Sequence, residues 1–352
     1  MNLSEFYRGK RVLVTGNTGF KGAWLTRILT LLGAEVTGYS MDAPTDPAFY
    51  HILKLDETIR QVTGDIRDLE KLSETFRKVQ PEIVLHLAAQ PIVRESYRDP
   101  VGTYATNVMG TVNLLECVRM TESVSSVVNV TTDKVYLNRE WEYGYRENER
   151  LDGFDPYSNS KSCSELVTAS YRRSFFGEDK RNCAITTCRA GNVIGGGDFA
   201  KDRIIPDCVR AAMAGEQVIL RNPYSIRPYQ HVLDPLYVYL MLAMEQQLHP
   251  ELAGSYNVGP DDSDCAETGV LADLFCGAWG EGMRWKNVCE DGPHEANFLK
   301  LDCAKLRKTF GWQPKLHLPE AVEMTVDWTK AWLAGEDMRA VTDAQIRQVL
   351  SF

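Results

Sequence analysis

The sequence predicts an α/β protein: a doubly wound parallel sheet over residues 1–190, then a smaller mixed α/β part over residues 191–352 that returns some segments to the sheet. Three observations carry this. The chain opens with a β-branched run, a glycine loop, an amphipathic stretch and a second apolar run, the order of a βαβ unit. Short apolar runs and helical patterns then alternate as far as residue 190, a pattern that buries a parallel sheet between helical layers. After Gly191 the texture changes to glycine, proline and basic–aromatic loops. No repeat, low-complexity stretch or linker separates the two parts, so they are expected to pack as one body around a cleft.

With 352 residues, 44% of them hydrophobic and 25% charged, the chain is long enough to bury a large core and has an ordinary globular composition. A net charge of −9 argues against nucleic acid or an anionic membrane as partner, and leaves room for a local basic pocket. The nine cysteines are odd in number and contain no Cys-x-x-Cys pair. They read as reduced thiols of a cytoplasmic protein, with neither a disulfide framework nor a metal site expected. Residues 1–10 mix both charges and lack the apolar core of a signal peptide. The longest apolar region, residues 23–39, is broken by Arg27 and Glu35, so no membrane span is expected.

The first strand, Arg11 to Thr15, runs directly into Gly16-Asn17-Thr18-Gly19-Phe20-Lys21-Gly22. A helix is expected over residues 23–32, ended by Gly33, and a second strand over residues 35–39. Glycines there allow a tight turn and let backbone N–H groups approach a pyrophosphate at the helix N-terminus. Gly16, Thr18, Gly19, Phe20, Lys21 and Gly22 are therefore candidate dinucleotide contacts. The spacing is Gly-x-x-Gly-x-x-Gly, different from the Gly-x-Gly-x-x-Gly fingerprint, and a purely structural turn is the competing reading. Ser40 and Asp42 follow the second strand, where a ribose-binding group belongs. The lack of an arginine directly after them favours NAD over NADP, while Lys21 pulls against that preference. Asp42 reads equally well as a loop residue before Pro44.

A third strand over residues 59–63 leads to Gly64-Asp65-Ile66-Arg67-Asp68. Asp65 and Ile66 are candidates for the adenine, and Asp68 is placed to cap the helix that runs to Lys78. The fourth strand, residues 82–86, leaves through Leu87, Ala88 and Ala89, small enough for a dinucleotide to lie across the strand ends. His86 reads as a satisfied strand-end histidine. A long helix over residues 101–121 contains Asn107. The strand over residues 126–131 ends at Thr132-Asp133-Lys134, a polar cluster at the carboxyl end, where open parallel sheets place chemistry. The next helix runs to about Phe176. It carries Tyr157 and Lys161, four residues apart and so on one face. An ammonium beside a phenol stabilises phenolate and lowers its pKa from about 10, which makes a base for a sugar or alcohol hydroxyl. The same spacing on an unremarkable helix is a solvated face with a partly buried ring. A strand over residues 182–189 follows. Beyond it, residues 195–198 read as a flexible loop, Arg203 opens a helix to Ala214, and residues 222–231 form a basic, aromatic loop. Helices are expected near residues 234–247, 267–279 and 318–333.

Together, Thr15-Gly16-x-x-Gly19-x-x-Gly22, Leu87-Ala88-Ala89, Asn107, Thr132 and Tyr157-x-x-x-Lys161 resemble the extended short-chain dehydrogenase/reductase family, with its Rossmann-type sheet. Arg189-Ala190-Gly191-Asn192, Arg227-Pro228 and His231-Val232-Leu233-Asp234 resemble its nucleotide-sugar branch, over residues 10–333 in all. Residues 17–24, 88–94, 131–136, 227–235, 294–296 and 298–302 are similar to the group of 4,6-dehydratases that act on CDP-glucose. Another 4,6-dehydratase or a 4-epimerase of the same family is the alternative.

The resemblance implies a homodimer or homotetramer, a nucleotide-sugar substrate and an NAD that is recycled in each turnover. It implies that Tyr157 removes the proton of the sugar 4-hydroxyl, that Lys161 holds the nicotinamide ribose, and that Thr132 bonds the 4-oxygen. Asp133 would then donate a proton to the hydroxyl leaving C6, helped by a raised pKa. Lys134 stands where sister enzymes resemble Thr-Asp-Glu. A lysine acts as a base only if its pKa is pulled down; otherwise it stabilises an enolate, positions water or pairs with an acid. Asn107 and Thr131 join the cofactor set. Arg227, with Asn192 and Arg203 behind it, is the candidate for the substrate phosphates, since arginine suits bidentate contact. Pairing of Arg227 with Asp234 is the competing reading. Gln90, Arg94 and His294 complete the substrate set.

Overall fold

The computed structural model describes residues 1–177, 180–288 and 298–351. Val12, Leu13 and Val14 are fully buried, as a strand covered on both faces requires. They belong to β1 (Arg11–Thr15), which pairs in parallel with β2 (Glu35–Ser40) on one side and β4 (Ile83–His86) on the other. Outward from these lie β3 (Arg60–Thr63) beside β2, then β5 (Ser126–Val130) and β6 (Ala184–Ala190) beyond β4. The chain winds out one way from β1 and then the other way from β4. Their carboxyl ends therefore form the switch-point crevice where α/β sheets bind ligands.

Local signals set the helices. Preceding β1 is α1 (Leu3–Tyr7), capped by Asn2. After the glycine loop, α2 (Phe20–Leu31) starts at Gly19. A single turn, α3 (Phe49–Ile52), follows β2, and Asp68 caps α4 (Leu69–Val79) by accepting from the Lys71 N–H. The short α5 (Val93–Arg98) is followed by the expected long helix, which has three parts: α6 (Pro100–Tyr104), a π-helical stretch Ala105–Met109, and α7 (Gly110–Met120). Asp155 caps α8 (Pro156–Phe175), with Pro156 in its first turn.

Beyond residue 190 come β7 (Val193–Ile194), α9 (Ile204–Ala214), β8 (Val218–Leu220), β9 (Ile226–Pro228), β10 (Gln230–His231) and α10 (Leu233–Leu248). Then follow β11 (Ser255–Val258), β12 (Cys265–Glu267), α11 (Thr268–Trp279), β13 (Trp285–Asn287), α12 (Ala304–Phe310), α13 (Leu318–Leu333) and α14 (Met338–Leu350). The strand β11 joins β6 as the seventh strand of the main sheet. The face covered by α10 is tied down by Gln246, whose amide donates to Ser126 Oγ and the Val127 carbonyl. The opposite face is covered by α4, α7 and α8, with Leu72, Phe76, Leu114 and Ile185 in its core. Ile205, Cys208, Leu271 and Phe275 build a separate core beneath the second part.

Three readings of the sequence change here. Residues 195–198 are not a flexible loop: a Cβ on Gly196 would stand 2.2 Å from the Trp328 ring, and Asp198 is buried. The loop over residues 222–231 contains β9 and β10, paired to β12 and β7. The helix α14, unread in the sequence, packs on α10 and α13. The eight described cysteines are free thiols, and no described helix is long and apolar enough to cross a membrane. Trp328, fully buried between Phe49 and Phe199 and bonded through Nε1 to Thr342, holds α13, α14 and the glycine turn together. Trp328→Ala is expected to cost about 3–5 kcal/mol in urea unfolding, and a loss below about 1 kcal/mol would contradict this packing.

Candidate active site

At the β1 exit Gly16 has φ +74°, and a Cβ there would lie 2.7 Å from the Ala88 nitrogen. A Cβ on Gly22 would lie 2.1 Å from the Gly16 carbonyl oxygen. Only glycine lets the loop close onto the Leu87–Ala89 exit of β4 while α2 starts above it. Gly19 offers no side chain to cap α2, so the first N–H groups of Phe20 and Lys21 face the crevice. This is a cradle for a diphosphate. Thr18 donates to the Met41 carbonyl, which fastens the loop to the end of β2.

Ser40 donates to Asn17 Oδ1 at 2.9 Å, and Asn17 Nδ2 donates to Gln61 Oε1 at 2.7 Å. Asn17 is buried against Gly38, where a Cβ would stand 2.3 Å from its amide. Asn17 and Gln61 were not among the expected site residues; a glycine inside a strand opposite the loop was the signal for them. Asp42 is exposed. The Asp65 carboxylate, expected at the adenine, is held by the Arg67 guanidinium at 2.6 Å and the Arg67 N–H at 2.9 Å, and these contacts hold it below the usual carboxylate range. Ile66 points into the core under Gly110. Asp68 serves as the helix cap.

Asn107 lies in the π-helical stretch, and its amide works on the scaffold. It accepts from the Gln90 N–H at 2.8 Å and donates to the Gln90 carbonyl and to Ser160 Oγ. The Gln90 side chain in turn bonds the Ile92 N–H and Thr103 Oγ1. Thr131 donates to Glu165 at 2.5 Å. These three, expected to touch ligands, fix α8 and the strand ends relative to one another. His86 shares a hydrogen bond with Thr15 Oγ1 at 2.7 Å, and burial pushes its pKa down to about 3, so it is a neutral strand-end histidine as expected.

The tip of β5 and the start of α8 meet at the centre. Thr132 Oγ1 donates to Asp133 Oδ1 at 3.0 Å, while Asp133 Oδ2 is buried with no hydrogen-bond partner among the described residues. Burial pushes the Asp133 carboxyl up, although Lys134, Thr132 and Arg227 pull it back. A Cβ on Gly191 would stand 2.9 Å from Asp133 Oδ2 and 2.7 Å from Pro228, so only a glycine fits between Asp133 and β9.

Tyr157 is 9% exposed, and burial pushes its phenol up to about 12, against the pull of the Thr132 hydroxyl and Arg203. Lys161 Nζ donates to the Val130 carbonyl at 3.1 Å. Burial, with Lys21 nearby, pushes its pKa down to about 7, and Glu165 acts in the opposite sense. The expected depressed phenol is thus corrected: withdrawing phenolate from water outweighs the neighbouring cations. Lys21 is itself pushed down to about 8 by burial and then by Arg203.

The second part brings charge to this centre. Arg227, on β9, is buried and acts electrostatically on Asp133. The competing partner Asp234 accepts from the Lys315 N–H instead, and burial pushes its carboxyl up to about 6. Arg203 pairs with Asp198 at 3.2 Å, and Arg94 with Asp202 at 3.8 Å. The Asn192 carbonyl accepts from Gln230, leaving its side chain half-buried near the same turn. Lys134 is half-buried, and His294 lies outside the described residues.

Known proteins share this fold and, in part, this sequence. The chain is 49% identical to a CDP-glucose 4,6-dehydratase of Salmonella typhimurium, over 99% of this chain and 98% of that one. It is 29% identical to a dTDP-glucose 4,6-dehydratase of Streptomyces antibioticus, over 91% and 93%. Among solved structures, a UDP-glucose 4-epimerase of Thermus thermophilus in complex with NAD superposes with a TM-score of 0.77 at 26% identity, covering 91% of this chain and 99% of that one. A dTDP-glucose 4,6-dehydratase of Bacillus anthracis in complex with NAD has the same fold, with a TM-score of 0.75 at 20% identity over 94% and 98%. The family model for GDP-mannose 4,6 dehydratase matches residues 13–325, and on that match and the near full-length identity the chain belongs to this dehydratase family.

Proposed function

We propose that this chain is an NAD-dependent nucleotide-sugar 4,6-dehydratase that converts CDP-glucose to CDP-4-dehydro-6-deoxy-glucose. The observation that carries the reading is the buried Asp133, with one oxygen unpartnered and its pKa raised, beside Thr132 and Tyr157. Oxidation or epimerisation at C4 asks for one base. Elimination also asks for an acid at the departing oxygen, and a carboxyl that keeps its proton is such an acid.

The residues fit NAD. Gly16, Gly19 and Gly22 with the bare N-terminus of α2 would hold its diphosphate, Leu87 to Ala89 would floor the crevice, and Ser40 ends β2 and Asp42 follows it, with no arginine directly after them in the sequence. Bound there, NAD supplies a reversible two-electron acceptor, so the net reaction is loss of water. Tyr157 takes the proton of the sugar 4-hydroxyl, and Thr132 orients that oxygen. Lys161 holds the ribose and carries the counter-charge for phenolate. Once C4 is a ketone the C5 proton is acidic, and a water positioned by Lys134 takes it as the enolate forms. Asp133 protonates the hydroxyl leaving C6. Arg227, Arg203 and Asn192 face the substrate phosphates. The cytosine preference rests on the Salmonella relative.

Incubation of purified protein with NAD and CDP-glucose is expected to give a product lighter by one water, with deuterium at C5 when run in heavy water. Turnover of dTDP-, UDP- or GDP-glucose alone would overturn the base assignment, and a product that keeps its C6 hydroxyl would make the protein an epimerase. The reading includes a cytoplasmic homo-oligomer paired across the helical run of residues 100–120 and α8, which expose Val101, Met109 and Leu166. A monomer mass in light scattering would overturn that part.

A further inference from the structure

Beneath the Tyr157/Lys161 pair lies a buried charge that the mechanism does not use. Glu165 follows Lys161 by four residues on α8, one turn along the same face, and is 2% exposed. Both of its oxygens are held. Oε1 accepts from Thr131 Oγ1 at 2.5 Å, while Oε2 accepts from Thr187 Oγ1 at 2.8 Å and pairs with the Arg189 guanidinium at 2.8 Å. Arg189 is fixed in turn by Tyr136 Oη and the Glu147 carbonyl, and Tyr136 bonds Asn257 on β11.

The geometry of these bonds ties three strands to one helix. Thr131 is the residue directly before Thr132, and Lys161 bonds the residue before that, Val130. Lys161 and Glu165 therefore grip consecutive residues at the tip of β5, immediately before Thr132-Asp133-Lys134. An isolated carboxylate could not remain ionised at this depth; the arginine and two hydroxyls hold its pKa below the usual carboxylate range against the opposing effect of burial.

We propose that Glu165 is a positioning residue for the Tyr157/Lys161 pair: its carboxylate, clamped by Arg189 and Thr187, anchors the Thr131 end of β5 to α8 and supplies the counter-charge that keeps Lys161 an ammonium. The inference rests on the dehydratase reading for its effect on turnover only. Facing Lys161 are the Lys21 ammonium from α2, the neutral His86 imidazole from β4 and the Glu165 carboxylate from its own helix. Those facing Glu165 are Arg189 from β6 and Arg172 from its own helix, with the neutral thiol of Cys188 beside it. Among these described neighbours of Lys161, Glu165 is the anion. Since a lysine loses charge as pH rises through its pKa, removing that anion moves the loss to lower pH.

The test is the titration of Lys161 by NMR of ε-¹³C-lysine-labelled protein, with its resonance assigned by loss in Lys161→Met. In Glu165→Gln the midpoint is expected to fall by about one pH unit, and the midpoint of the rising limb of kcat to move down with it. Glu165→Asp, which keeps the charge, should return the midpoint towards wild type. An unchanged midpoint in folded Glu165→Gln overturns the proposal.

Because Glu165→Gln leaves a buried arginine unpaired, Thr131→Val provides an independent arm that leaves the ion pair intact. It should lower kcat about tenfold with little change in KM and none in the Lys161 midpoint, as the anchor alone predicts. Wild-type kcat in Thr131→Val overturns the proposal. If wild-type protein does not turn over CDP-glucose, the dehydratase reading fails, and the Lys161 midpoint still decides the role of Glu165.

Discussion

Tyr157→Phe is expected to lower kcat on CDP-glucose by about 10²–10⁴-fold while sugar-nucleotide binding stays near wild type. The substitution removes one oxygen from a ring that is already buried, so the packing of α8 survives. What goes is the acceptor for the 4-hydroxyl proton. The pH dependence of the wild type follows from the two groups together. Tyr157 works as phenolate and Lys161 as ammonium, and burial pushes the phenol up to about 12 and the ammonium down to about 7. The working form holds one proton fewer than the resting pair, so turnover should rise with pH to a midpoint near 7 and fall again near 12, where the second proton is lost. Tyr157→Phe should flatten the rising limb. Retention of more than about a tenth of wild-type kcat would remove Tyr157 from the role of base.

Asp133→Asn should separate the steps. Oxidation at C4 needs Tyr157 and not Asp133, so the variant should still form the 4-ketone, with reduced cofactor accumulating by absorbance, while dehydrated product falls by about 10²–10³-fold. Full elimination activity in the variant would move the acid elsewhere. The same substitution has a consequence for stability. Because burial raises the Asp133 pKa, the folded chain holds that proton more tightly than the unfolded chain, whose value is about 3.9. Wild-type stability is thus favoured at low pH and declines as pH rises from the unfolded value through the raised folded one. Asp133→Asn removes this term, so at neutral pH urea should unfold the variant at a higher midpoint than wild type. A lower midpoint would show that the carboxylate stabilises the fold, which its unpartnered oxygen argues against.

Much of this site is legible in the residues themselves because its signals are local. A β-branched run followed by Gly16-x-x-Gly19-x-x-Gly22 specifies a strand, a tight turn and a helix start within a dozen residues. Asp155-Pro156 marks the start of α8, and a spacing of four puts Tyr157 and Lys161 on one face whatever lies around them. Alternation of strand and helix implies a parallel sheet, and its carboxyl ends imply where Thr132-Asp133-Lys134 would face.

The rest depends on what the chain folds against. The turn at residues 195–198 has the composition of a flexible loop, and residues distant in the chain, Trp24, Phe49 and Trp328, make it rigid. Asn107, Gln90 and Thr131 carry side chains suited to ligands, yet their partners Ser160, Thr103 and Glu165 draw them into the scaffold. The ionisation of Tyr157 goes opposite to the expectation from its neighbour, because desolvation is set by how deeply the ring is buried and not by what stands four residues along the helix. The sequence by itself determined the elements, their order and the residue types at the strand ends, since these follow from short-range periodicity and turn chemistry. Only the tertiary structure decided which of those side chains are free to meet a ligand and in which protonation state, since burial and ion pairing are properties of the packed chain.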